Sequence, residues 1–393
     1  VQAGGPVSAQ KTGGIFMQIK NGNMFTQNNF FEPHDLILAG DRITRIAPSG
    51  LDTKEEEVLD AAGCYVVPGM VDIHIHGSAG CDFCDGTVES VDTIAAFLAR
   101  RGVTSFLGTS MALPEQDLTG VFKTAAPLVN ADRGGAVLRG INMEGPFFSK
   151  AKKGAQAEKN IIDPDIDMFD RLYEASGGAV RLVDVAPELP GATEFIAHAC
   201  RRCWVSLAHT AANYEQSKAG FFAGADHVTH LFNAMPPFNH REPGLIGAAV
   251  ERADYVELIS DGIHLHPSVV RAAFRLFGDE RVCLISDAMR AAGMPNGEYT
   301  LGGQEVHVQE GKATLADGTI AGSATPLSEC MKRAVSFGVP LEAALRAATA
   351  NPAKSVGLYE EIGSLSEGKR ADVVLLDKGL NIKAVVIGGK RIV

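Results

Sequence analysis

The feature that most constrains the fold of this chain is an alternation. Eight short apolar segments of β type recur along it: Val66–His76, Ser105–Thr109, Val137–Glu144, Val180–Ala186, Val205–His209, His227–His230, Val256–Asp261 and Val282–Asp287. Helical periodicity lies between most of them, over Val91–Arg101, Glu115–Val129, Ala192–Arg202, Asn213–Ala223 and Pro267–Phe277, and the pair Leu327–Phe337 and Leu341–Ala350 follows the last. A strand–helix rhythm repeated eight times over roughly 290 residues is the pattern of an α/β protein closed into a (β/α)8 TIM barrel. The competing arrangement is a doubly wound open sheet. It is disfavoured because no G-x-G-x-x-G follows the first strand.

The flanks read differently. Ile15–Ile19, Asp35–Ala39 and Arg42–Ala47 alternate in β fashion, broken by Asn21-Gly22-Asn23 and Gly40-Asp41. Ala371–Leu376 and Ala384–Ile387 do the same at the far end, with Gly388-Gly389 as a turn. Both termini are therefore expected to build one small β-sandwich domain, residues 15–67 with 360–393, around a barrel at 68–359. Val1 to Gly14 is rich in Gly, Gln and Ser and reads as a flexible leader outside the fold.

Composition narrows the function class. With 393 residues, 46% hydrophobic and 21% charged, the chain suits a large globular domain plus a smaller one. No run of 18 apolar residues is present, so no transmembrane helix is expected. A net charge of −11 argues against a nucleic-acid or membrane-surface binder. It still permits an anionic small substrate, because a phosphate responds to local cations and N–H groups more than to a distant total. With seven cysteines and no secretory segment visible, a reducing cytoplasm is the expected home.

The strand ends carry the chemistry. The first closes on Asp72-Ile73-His74-Ile75-His76, and strand alternation puts Asp72, His74 and His76 on one face. Alone, such a pair of histidines reads equally as a metal grip or as hydrogen-bonded imidazoles. The third closes on Asn142-Met143-Glu144, where a buried carboxylate is costly unless paired or ligating. The fifth ends with His209, the sixth with His230 and the eighth with Ser286-Asp287. Six metal-type side chains thus fall at matching C-terminal ends of five strands, where barrel active sites are built. Imidazole and carboxylate ligands suit Zn²⁺ or Fe²⁺.

This ordered set resembles the amidohydrolase superfamily. Many members bridge two metals with a carbamylated lysine; no Lys ends a barrel strand here, and Glu144 stands at the corresponding place. Glu144-Gly145-Pro146-Phe147, His230-Leu231-Phe232-Asn233-Ala234-Met235 and Arg241-Glu242-Pro243-Gly244 resemble segments of the N-acetylglucosamine-6-phosphate deacetylase family. So do Lys152-Lys153-Gly154-Ala155-Gln156, Asp261-Gly262-Ile263-His264 and Ile320-Ala321-Gly322-Ser323. The resemblance runs from about Ile15 to the C-terminus. It implies hydrolysis of the acetamide of an amino-sugar phosphate, in amino-sugar catabolism or cell-wall recycling. It implies a principal divalent ion on Glu144, His209 and His230, a second beside His74 and His76, and Asp287 as general base and then acid. It further implies phosphate contacts from Arg241 and His264, with Arg241 entering from the neighbouring subunit of a homodimer. Asp261, Asn233 and Ala234 would also face substrate, and Ala155, Gln156, Ile320, Ala321 and Gly322 would line the sugar. Some relatives carry His where Gln156 stands.

Three other readings remain open at this point. The galactosamine epimer could be the substrate, since no sequence feature reads one hydroxyl's orientation. A cyclic amide is opposed by Glu144, Arg241 and His264. A non-catalytic scaffold is opposed by the intact ligand set. Cys81-x-x-Cys84 and Cys200-x-x-Cys203 are too far apart for a zinc ribbon; the second pair is expected on a helix as packing residues. His34, His198, His240, His266 and His307 are expected to be structural or solvated, and Trp204 to pack between helix and strand.

Overall fold

The computed structural model describes residues 16–50 and 57–393. The expected leader, and Ile15 at the start of the first expected strand, lie outside the described residues. Eight parallel strands form the barrel in sequence order: Met70–Ile75, Val103–Thr109, Val137–Met143, Val180–Val185, Trp204–Leu207, His227–Val228, Tyr255–Leu258 and Val282–Leu284. The ring is closed just past the last strand, where Asp287 N–H donates to His74 O at 2.9 Å and Ile75 bridges Ala288.

The helices cover this barrel because each offers one apolar stripe. Pro267–Phe277 illustrates the logic. His266 caps its start by accepting from Ser268 N–H, proline occupies the first turn, and Val270, Ala273, Phe274 and Phe277 recur at helical spacing and are buried. Full burial of each phenylalanine stabilises by about 1.5–3 kcal/mol. Two helices absent from the sequence reading, Ile166–Ala175 and Gly244–Arg252, complete the ring. The helix beginning at Ala192 ends at Ala199, so Cys200 and Cys203 follow it instead of lying on it. Among the described residues, no helix is long and apolar enough to cross a membrane.

The two termini do build one sheet. Phe16–Phe25, Phe31–Ala39, Arg42–Pro48, Glu57–Asp60 and Tyr65–Pro68 join Val373–Leu376, Ile382–Ile387 and Lys390–Arg391. It is a single continuous sheet closed over its own core, in which Ile19, Leu38 and Ile43 meet Val373, Leu375 and Val386. Of the three expected breaks, Asn21-Gly22-Asn23 is instead an irregularity within the strand Phe16–Phe25, and the other two meet each other. Gly389 adopts φ +74°, and a Cβ there would stand 1.8 Å from Gly40 O, so only glycine fits.

The run Val66–His76 is two strands rather than one. Gly69 divides it, and a side chain at that point would strike Thr104 Oγ1 at 2.0 Å. Tyr65–Pro68 belongs to the terminal sheet and Met70–Ile75 opens the barrel. An antiparallel four-stranded sheet unforeseen in the sequence reading, Gly297–Leu301, Gln304–Gln309, Lys312–Thr314 and Ile320–Ser323, follows the eighth strand and leans over the barrel mouth on Met111 and Met289.

Candidate metal centre and active site

The strand-end side chains converge. Glu144 Oε1 lies 3.1 Å from His209 Nε2 and 3.2 Å from His230 Nε2. His76 Nε2 lies 3.3 Å from Asp287 Oδ1 and 3.4 Å from Glu144 Oε2, and His74 Nε2 lies 3.6 Å from Asp287 Oδ1. All six are buried. They form two trios, Glu144–His209–His230 and His74–His76–Asp287, each with its donor atoms within 4.8 Å of one another.

Local structure aims these groups. His209, His230 and Asp287 sit just beyond their strands with φ of +44°, +29° and +46°. Side chains rarely adopt such backbone, which clusters at functional sites where the surrounding structure enforces it. His209 is fixed from two sides: its Nδ1 donates to Lys152 O at 2.9 Å, and Phe148 stacks on its ring at 4.4 Å between centroids. His76 Nδ1 faces Thr109 O at 3.3 Å.

The electrostatics fit a cation. Burial opposes charge on Glu144. Hydrogen bonds from His209 and His230 and the charges of His74 and His76 outweigh it and hold the carboxyl well below the usual carboxylate range. Asp287 is likewise lowered, burial being overcome by His76 and His74. Burial disfavours charge on His74 and His76, yet Glu257, Glu144 and Asp287 raise the pKa of His74, and Asp287 and Glu144 raise that of His76. The imidazoles thus offset the buried carboxylates, as a metal ion would. His74 Nε2 is buried without a hydrogen-bond partner, and N and O donors in this mixture suit a divalent metal.

A cavity of about 250 Å³ opens onto these groups. Of the residues expected to face substrate, Ala155, Gln156, Asn233, Ala234, His264, Ile320 and Gly322 line it. Gln156 also donates from Nε2 to Glu144 Oε2 at 2.8 Å and accepts from Ala112 N–H, so it braces the carboxylate. Asp261 stands behind the wall, its Oδ2 accepting from His264 Nδ1 at 2.8 Å. Burial opposes charge on that ring, but the bond to Asp261 raises its pKa. Ala321 packs fully buried in the apolar cluster beneath the added sheet. Arg241 is exposed and lies outside the cavity wall of the single chain. Met111, Leu301 and Thr319 complete the wall without having been singled out in the sequence. Glu257 was also missed, although a glutamate inside the strand Tyr255–Leu258 is itself a signal.

The barrel and its metal-ready rim define the class, and the comparisons agree. The amidohydrolase family model matches residues 65–392, and the chain belongs to that family. It is 35% identical over 370 residues to an N-acetylgalactosamine-6-phosphate deacetylase of Escherichia coli O157:H7, covering 93% of this chain and 97% of that one. It is 36% identical over 340 residues to an N-acetylglucosamine-6-phosphate deacetylase of Bacillus subtilis, covering 85% and 86%. Among solved structures, a mutant N-acetyl-D-glucosamine-6-phosphate deacetylase from Mycobacterium smegmatis, in complex with N-acetyl-D-glucosamine-6-phosphate, superposes with a TM-score of 0.88 at 34% identity. That match covers 97% of this chain and 99% of the other. The family implies a divalent metal.

Proposed function

We propose that this protein hydrolyses the acetamide of N-acetyl-D-glucosamine 6-phosphate to D-glucosamine 6-phosphate and acetate. The observation that carries the reading is the meeting of Glu144, His209 and His230 with Asp287 at the floor of one cavity. Glu144, His209 and His230 would hold the principal ion, Zn²⁺ or Fe²⁺, and His74 and His76 with Asp287 would hold a second. Held there, a divalent cation would supply polarisation of the amide carbonyl and acidification of a water.

The chain's own residues do the rest. Asp287, ionised because its neighbours lower its pKa, accepts a proton from the attacking water and returns it to the leaving amine. His264, whose pKa the bond to Asp261 raises, offers its ring to the phosphate. Arg241 would add a cation from the neighbouring subunit of a homodimer; its exposure, and that of Phe238 close by at 51%, support such a contact. We assign the enzyme to the cytoplasm, which its seven unpaired cysteines favour.

The galactosamine epimer is the second reading, favoured by the E. coli relative. Acetate release from the free sugar, both epimeric 6-phosphates and a cyclic amide tests both. Fastest turnover of the N-acetylglucosamine 6-phosphate is expected, with little of the free sugar or the cyclic amide; fastest turnover of the N-acetylgalactosamine 6-phosphate would favour the second reading. Preference for the cyclic amide would overturn both.

A further inference from the structure

Glu257 takes no part in the proposed reaction, yet it touches both halves of the metal centre. It lies in the seventh barrel strand, Tyr255–Leu258, with apolar Val256 and Leu258 on either side, and is fully buried. A carboxylate there is costly unless something needs it. Its Oε2 stands 3.0 Å from His74 Nδ1 and also accepts from His230 N–H at 3.2 Å. Its Oε1 faces the buried His227 Nε2 at 3.6 Å.

We propose that Glu257 is a positioning residue that fixes the tautomer and ring angle of His74 and ties it to the backbone of His230. This deepens the metal-dependent deacetylase reading and rests on it. An imidazole can ligate through one nitrogen only if that nitrogen carries a lone pair, and the hydrogen bond made by the other nitrogen decides this. With Nδ1–H donated to Glu257, the free lone pair is on Nε2. That atom is the one directed at Asp287 Oδ1, 3.6 Å away, and Glu144 Oε1, 3.7 Å away. The second anchor sets the spacing of the two trios. Because the same carboxylate oxygen holds His230 N–H, His74 cannot rotate away without disturbing the His230 backbone, which is already at φ +29°. A neutral amide keeps the shape of Glu257. It has only one acceptor oxygen and no charge to set against the imidazole.

The test uses the full chain loaded with Zn²⁺ and compares wild type with Glu257→Gln. Expected are a roughly 10- to 100-fold loss of metal affinity in chelator competition, a comparable fall in kcat, and a KM within about twofold. Proton–nitrogen NMR of the zinc-loaded wild type should show an Nδ1–H signal, absent from His74→Asn, that moves upfield in Glu257→Gln. Unchanged metal affinity and kcat in Glu257→Gln would overturn the proposal. Should that variant not fold, an Nε2–H tautomer of His74 in wild type overturns it just as well, and the Nδ1–H tautomer supports it. If wild type neither binds metal nor releases acetate, the deacetylase reading falls as well, and that result is distinct from a variant that merely equals an active wild type.

Discussion

His209 and His230 present their Nε2 atoms to each other at 3.1 Å. Both also face the same oxygen of Glu144, at 3.1 and 3.2 Å. The carboxylate is therefore the charge on which the trio turns. Replacing it with Gln keeps the shape and removes the charge. Glu144→Gln should lower metal affinity by at least about 10- to 100-fold, the range already seen for outer partners of a metal. Metal analysis after dialysis against a weak chelator checks this, and acetate release should fall with it.

Asp287 should be separable from folding. Its φ of +46° is a conformation that Asn adopts readily. Asp287→Asn should therefore melt close to wild type while kcat falls by about 10²–10⁴, the usual contribution of a positioned acid–base group. Near-normal kcat in the folded variant would remove the residue from the mechanism.

The His264–Asp261 pair predicts a pH dependence of binding. Burial of the imidazole opposes its charge, but Asp261 raises its pKa above the usual value of about 6.5. Burial would raise Asp261, but the bond from His264 lowers it. The pair's stabilisation is thus complete below the usual histidine value and is lost as pH rises through the raised one. On the acid side, the Asp261 contribution is present above the usual carboxylate value and is lost as pH falls through the lowered one. A sugar phosphate is doubly ionised above about pH 6, so its own charge does not follow this curve. KM should climb as pH passes the raised His264 value, and His264→Gln should have a higher, flatter KM. Equal curves for the two proteins would count against the contact.

Arg241 offers a test of the homodimer. Arg241→Ala and Asp287→Asn should each be impaired alone. If Arg241 serves the neighbouring site, mixing the two after subunit exchange should restore about a quarter of the sites, since half the dimers are mixed and each carries one intact site. No recovery in exchanged dimers would place Arg241 in its own subunit's chemistry or none.

Much of this arrangement is legible in the chain because strand ends are polar where strand bodies are apolar. His74, His76, Glu144, His209, His230 and Asp287 stand out for that reason. Gly69 did not stand out, because it sits in an unbroken apolar run and its role is a close approach to Thr104 that no local pattern encodes. The helix Ile166–Ala175 carried a readable start, Asp165 accepting from Met168 N–H, whereas Gly244–Arg252 is short, glycine-containing and apolar on several sides. The sheet over the mouth was readable too. Val306 and Val308 alternate with polar residues between Gly302-Gly303 and Glu310-Gly311, but the segment interrupts the strand–helix rhythm. Met111, Leu301 and Thr319 reach the cavity from separate loops and strands, and only their meeting in space gives them a role.

The most direct test of the central claim measures bound metal and acetate release together. Purified protein is titrated with a chelator while both are followed, with N-acetyl-D-glucosamine 6-phosphate as substrate. Expected are at least one divalent ion per chain, acetate release that disappears as the ion leaves, and recovery when Zn²⁺ or Fe²⁺ is restored. Undiminished acetate release from metal-free protein, or a Glu144→Gln variant that retains both metal and activity, would contradict that claim.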